Sequence, residues 1–194
     1  GISRAGLDNA DGLLDQQSVA LASLSELVDV TVTHNDDGTI DVSIGSGRSL
    51  VVGPNTFALT AVSTPPQGFA QIISDGAAVP TDVTAEITGG RLAGLLQLRD
   101  VLVPQYQTQL DQLAYGVATD VNNLATSGFD LFGSAGVNFF APPSGVAGAA
   151  QQMAVNGAVA ADASLVVASA TTTAGNNDIA RAIAALQDQP ITGT

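Results

Sequence analysis

One histidine, no cysteine and eighteen carboxylates bound the chemistry open to this chain. With His34 as the sole histidine, neither a histidine-based triad nor a multi-histidine zinc site can be assembled. Without cysteine there is no thiolate nucleophile, no thiolate metal ligand and no disulfide. His34 stands at the mouth of a hairpin pattern and reads as an exposed turn residue. Asp36-Asp37-Gly38 lacks the further carboxylates at fixed offsets and the closing Glu of an EF-hand, and reads as a tight turn. Gly45-Ser46-Gly47-Arg48 lacks the Lys-Ser/Thr ending of a phosphate loop and lies between alternating segments, so it too reads as a hairpin turn. No serine sits in a nucleophile-elbow pattern. Asp100 beside Arg99, and Asp111 one turn beyond Gln107, read as ordinary helix surface. A glycosidase needs two carboxylates at a set separation, which sequence does not fix. An aromatic content of 4% leaves few rings to stack a sugar. The expectation is therefore no enzyme: catalytic residues none, cofactor-binding residues none, metal ligands none, cofactors none.

The elements that would position any site are two helical segments with a β-rich insert. Residues 8–28 carry Leu14, Leu21, Leu24 and Val28 at heptad-like spacing, with Asp8 or Asn9 as the cap. Residues 91–126 carry Tyr106, Leu110, Leu113, Val117, Val121 and Leu124 in steps of three and four. This stripe predicts Leu110 and Leu113 buried between helices. Pro104 lies inside that run and should kink or divide it. A third helix is predicted near 177–188, with Ile179, Ile183 and Leu186 on one face.

Between the first two helices the period switches to two. Val30 and Val32, then Ile40, Val42 and Ile44, then Leu50 and Val52, then Phe57, Leu59 and Ala61 alternate, separated by Asn35-Asp36-Asp37-Gly38, Gly45-Ser46-Gly47 and Gly53-Pro54. Thr64-Pro65-Pro66 breaks the last of these. Weaker strands are predicted near 69–73 and 83–88, and Gly89-Gly90 turns the chain into the second helix. Residues 129–140 read as a hairpin, 144–150 as a flexible loop, and Met153–Val155 and Leu165–Ala168 as strands or extended chain packed on the helices. The fold class is α+β: a helical rod-like domain over 1–29 and 89–194, with a hairpin and loop excursion at about 129–170, and an inserted small antiparallel β domain over 30–88.

The formal net charge is −13, and all five basic residues are arginine (Arg4, Arg48, Arg91, Arg99, Arg181). Such a surface repels phosphate backbones and anionic lipid, so neither nucleic acid nor membrane is an expected partner. No run is long and apolar enough to span a bilayer, and GISRAGLDNADG has no apolar signal core. The start without Met and the stop after a helix are those expected of an excised fragment.

Read in order, the segments resemble the flagellar hook-associated protein 1 family. Residues 12–32 (GLLDQQSVALASLSELVDVTV) are similar to its leucine-rich helix running into a first strand, and 37–53 (DGTIDVSIGSGRSLVVG) to its first hairpins. Residues 89–113 (GGRLAGLLQLRDVLVPQYQTQLDQL), continuing to Val121-Asn122-Asn123, are the most specific piece. Gly128-Phe129-Asp130-Leu131, Phe139-Phe140, Asn176-Asn177 and Ala184-Ala185-Leu186-Gln187 complete the set. Gln17-Ser18 stand where the family commonly has a charged pair. The resemblance implies an extracellular structural subunit joining hook to filament, exported without a cleavable signal peptide. Its implied partners are other flagellar axial proteins (the hook protein and the second junction protein) and copies of itself. The family's terminal segments are absent, so the isolated chain is expected to be monomeric, with exposed apolar strips centred on Leu21, Leu95 or Ile183. The rival reading is an adhesin-like module recognising a carbohydrate or host protein. It would need a groove on the β domain with clustered aromatic or Asn/Asp groups, and residues 30–88 hold only Phe57 and Phe69 as phenylalanines.

Overall fold

The computed structural model describes residues 4–63, 68–76 and 79–190. The fold class is α+β, and the chain packs as two compact units, Gly1–Val101 and Leu102–Thr194.

In the first unit, α1 (Arg4–Leu27) begins ahead of the predicted start at residue 8. Asp8 and Asn9 therefore lie inside the helix instead of capping it. Ala5, Leu7 and Ala10 are good helix formers and carry the ladder back past them. Strands β1 (Val30–His34), β2 (Ile40–Ile44), β3 (Arg48–Val52) and β4 (Asn55–Thr56) form an antiparallel meander in chain order. Its first hairpin is registered Val30↔Ile44 to His34↔Ile40. The turn is set by Asp37, whose Oδ1 accepts from the Thr39 backbone N–H at 2.9 Å and its hydroxyl at 2.6 Å. A second antiparallel sheet holds β5 (Leu59–Ser63), β6 (Ala70–Ser74) and β7 (Thr81–Asp82). The break predicted at Thr64-Pro65-Pro66 lies outside the described residues.

The strand predicted over 83–88 is instead a 3-10 turn, Thr84–Glu86. Asp82 Oδ1 accepts from both the backbone N–H and the hydroxyl of Thr84, which bends the chain. Val83 donates its N–H to Ile72 O at 2.8 Å and is fully buried. Val28, Ile44, Leu50, Ile87 and Leu96 form one core with Leu24 and Leu92 packed against it. The β module thus shares its core with the last turn of α1 and with α2 (Gly90–Gln97). Gly90 makes that meeting possible. Its φ is +72°, and a Cβ there would lie 2.6 Å from Val28 N.

Beyond α2 the backbone is π-helical over Leu98–Leu102, and α3 (Val103–Thr126) follows with Pro104 as its second residue. Proline lacks an N–H and its ring crowds the carbonyl four residues back. The wider π turn just ahead of it is the local adjustment that such a defect commonly takes.

In the second unit α3 is followed by α4 (Ala149–Gln152), α5 (Gly157–Ala161), a 3-10 turn at Ala163–Leu165 and α6 (Asp178–Ala185), which a further 3-10 turn extends to Asp188. Ala125, Val167 and Ile179 form the buried centre, with Leu124, Phe139 and Ile183 against it. The hairpin predicted over 129–140 does not form. Isolated bridges replace it: Phe129 pairs with Ala135 and with Ser169, and Phe140 with Val155. This segment spends its backbone groups on distant loops, not on itself. The stretch predicted as a flexible loop, 144–150, is an ordered turn that enters α4 through Gly148 at φ 78°.

Candidate interaction surface

The polar groups that organise the second unit are pins between segments. Asn122, 7% exposed on α3, donates Nδ2 to Phe140 O at 3.1 Å, and its Oδ1 accepts from Phe140 N at 2.9 Å. A single side chain thereby replaces a missing strand partner for the 139–140 segment. Asp111, read from sequence as plain helix surface, accepts from Gly148 N at 2.7 Å and Ala150 N at 2.9 Å. It holds the entry to α4 against α3. Asn176 Oδ1 accepts from Ala170 N at 2.9 Å, and its Nδ2 donates to Asp178 at 2.7 Å, tying the 169–176 loop to the start of α6.

In the first unit two arginines do similar work. Arg48 donates to both carboxylate oxygens of Glu86, with Nη2 to Oε1 at 2.9 Å, and Ser46 donates to the same carboxylate at 2.7 Å. Those hydrogen bonds, Arg48 first and Ser46 second, hold the Glu86 carboxyl down at about 2, against an ordinary 4.5. Arg99 pairs with Asp100 at 2.6 Å, donates to Ala70 O at 2.7 Å and lies 5.3 Å from the centre of the Phe69 ring. Asp100 is thus half of a latch onto β6, not simple helix surface, and the pairing lowers its carboxyl below the usual range.

None of these groups converges on a cleft suited to chemistry. Among the described residues no set of three or more His, Asp or Glu side chains is placed to hold a metal ion. His34 is exposed at the end of β1. The two phenylalanines of the β module do not cluster: Phe57 is half-buried and Phe69 carries the Arg99 guanidinium. Among the described residues no helix is long and apolar enough to cross a membrane.

What the molecule does present is apolar helix surface. The α3 stripe divides along its length. Tyr106, Leu110 (57% exposed) and Leu113 (45% exposed) face solvent, whereas Ala118, Val121 and Ala125 are buried. The predicted burial of Leu110 and Leu113 is therefore wrong. The segments of the second unit that cover α3 lie against its C-terminal half. On α1, Leu13, Leu14 and Val19 are exposed. Of the three strip centres predicted, Leu95 is exposed, while Leu21 and Ile183 are half-buried, Leu21 beside β2 and β3 residues and Ile183 against the Ile179 core. Two further features lie in the second unit. An apolar groove of about 250 Å³ opens between α3, α6 and the 165–168 segment. A turn at Asp130–Ser134 carries Leu131 and Phe132, 78% and 73% exposed.

Sequence reasoning missed a signal that was present. Between Leu131 and Asn177 the only charged residue is Asp162, in a chain of net charge −13. A neutral stretch of that length in so acidic a chain marks a surface built for contact.

A family model described as the flagellar hook-associated protein FlgK helical domain matches residues 2–140. The chain is 34% identical over 134 residues to flagellar hook-associated protein 1 of Escherichia coli (strain K12), covering 68% of this chain and 24% of that one. It is 33% identical over 131 residues to flagellar hook-associated protein 1 of Salmonella typhimurium (strain LT2), covering 66% and 24%. The solved structure of the flagellar hook junction protein FlgK from Burkholderia pseudomallei matches with a TM-score of 0.57 at 32% identity, over 71% of this chain and 26% of that one. The chain therefore spans about a quarter of the length of these relatives.

Proposed function

The chain belongs to the flagellar hook-associated protein 1 family, and on that premise we propose that it is part of a structural subunit that joins hook to filament in the bacterial flagellum, with no catalysis. The observation that carries this reading is the family match over residues 2–140. The exposed apolar faces of α1 and α3 support it, because such faces serve a subunit that packs against others. The polar groups support it as well. Asn122, Asp111, Glu86 and Arg99 are all engaged in holding segments together, which suits a scaffold.

On this reading residues 1–29 and 89–194 serve as the helical rod domain and 30–88 as its inserted β domain. The partners are other flagellar axial proteins, the hook protein and the second junction protein among them, and further copies of the same subunit. The site of action is the extracellular flagellum, reached without a cleavable signal peptide. The isolated chain is a monomer at micromolar concentration, and neither nucleic acid nor membrane is a partner. Deleting the gene tests the reading by electron microscopy of the cells. Hooks without filaments are expected, and normal filaments would contradict it.

A further inference from the structure

The second unit holds a convex apolar turn and a concave apolar groove, and each lacks a partner within the described residues. We propose that the Leu131–Phe132 turn of one copy seats in the groove of a neighbouring copy. This rests on the reading that copies of the subunit stand side by side.

The turn is formed before any contact is made. Asp130 Oδ1 accepts from Phe132 N at 2.9 Å and from Ser134 N at 2.8 Å. Gly133 donates to Asp130 O at 3.1 Å with φ 78°, and Leu131 donates to Ser164 O at 3.2 Å. A tip braced in this way loses little conformational freedom on binding. Two large apolar side chains on a rigid tip are the usual form of a binding anchor.

The groove suits that anchor. It is lined by Val121, Val137, Phe139, Val159 and Ile183 among others, carries no charged side chain, and its volume of about 250 Å³ is on the scale of large apolar side chains. The turn of the same chain leaves it open, since Leu131 and Phe132 are exposed.

Charge selects a second copy as the occupant. Two chains of net charge −13 repel each other over most approaches. The face bearing turn and groove is the exception, because Leu131 to Asn177 carry Asp162 alone, and its carboxylate is engaged by Ser164. Copies can meet there without opposing carboxylates. Two side chains bury far less than the roughly 1,200–2,000 Å² of a stable interface. The contact is therefore weak in solution, and strengthens where an array holds neighbours at high effective concentration.

The absence of cysteine makes the test clean. A Phe132→Cys copy is mixed with an Ala180→Cys copy at submillimolar concentration and a short bismaleimide linker is added. Both positions are exposed, and Ala180 lines the groove. The mixed product is expected to form about tenfold faster than that from Phe132→Cys with Asn123→Cys, an exposed site elsewhere on α3. Adding Leu131→Asp to the Phe132→Cys copy should return the rate to that of the control pair. Equal rates in the two pairs, or a fast rate that survives Leu131→Asp, would overturn the proposal. Because the purified chain suffices, such a result leaves the flagellar reading to be judged by the deletion phenotype.

Discussion

Asn122 is buried on α3 with both ends of its amide committed to the Phe140 backbone. Replacing it with Ala strands a buried N–H and a buried C=O, so Asn122→Ala should cost about 1–3 kcal/mol in urea unfolding. Glu86 makes a different prediction. Its carboxyl sits at about 2 in the folded chain against an ordinary 4.5. A depressed carboxylate adds stability that is present above the unfolded value and is lost as pH falls through the folded one. Stability should therefore decline from pH 4.5 toward about 2, and Glu86→Gln should decline less steeply over that window. Asp37, Asp100 and Asp162 are also lowered, so some acid slope will persist in the variant. Equal slopes for the two proteins would show that the Arg48 contact does not govern Glu86. Residue types alone disclosed the turn role of Asp37. They did not disclose the pins made by Asn122, Asp111 and Asp100, whose partners lie 18 to 39 positions away for the first two and, through Arg99, 29 away for the third.

Among the elements, α3 carries the main lesson. Its apolar period was plain in the sequence and the helix is where that period places it. A stripe shows which face is apolar, but not how far along the helix a neighbour extends. Leu110→Ala and Leu113→Ala should each change stability by less than about 0.5 kcal/mol, because both side chains are exposed. Ile179→Ala on α6, in the buried centre of the second unit, should cost roughly 2–5 kcal/mol. A large loss at Leu110 with none at Ile179 would reverse the assignment of core and surface. The hairpins of the first sheet were legible because Asp37-Gly38 and Gly45-Ser46-Gly47 set their turns locally. The 3-10 turn at Thr84–Glu86 and the bridges of Phe129 and Phe140 were not, since tertiary partners decide them.

At the scale of the whole molecule, a charge of −13 keeps copies apart while apolar helix faces and one neutral stretch await partners. Sedimentation at micromolar concentration should show a monomer, because no contact proposed for the isolated chain reaches the area of a stable interface. A ring or filament formed by this chain alone would place the main assembly contacts within it. The ordered run of segments was enough to point to the family, although no single motif in it is chemical. The central claim is one of position: this subunit stands between hook and filament. Immunogold labelling of intact flagella with antibody raised against this chain tests that directly. Label confined to the boundary between hook and filament is the predicted result; label spread along the filament, or absent from flagella, would contradict it.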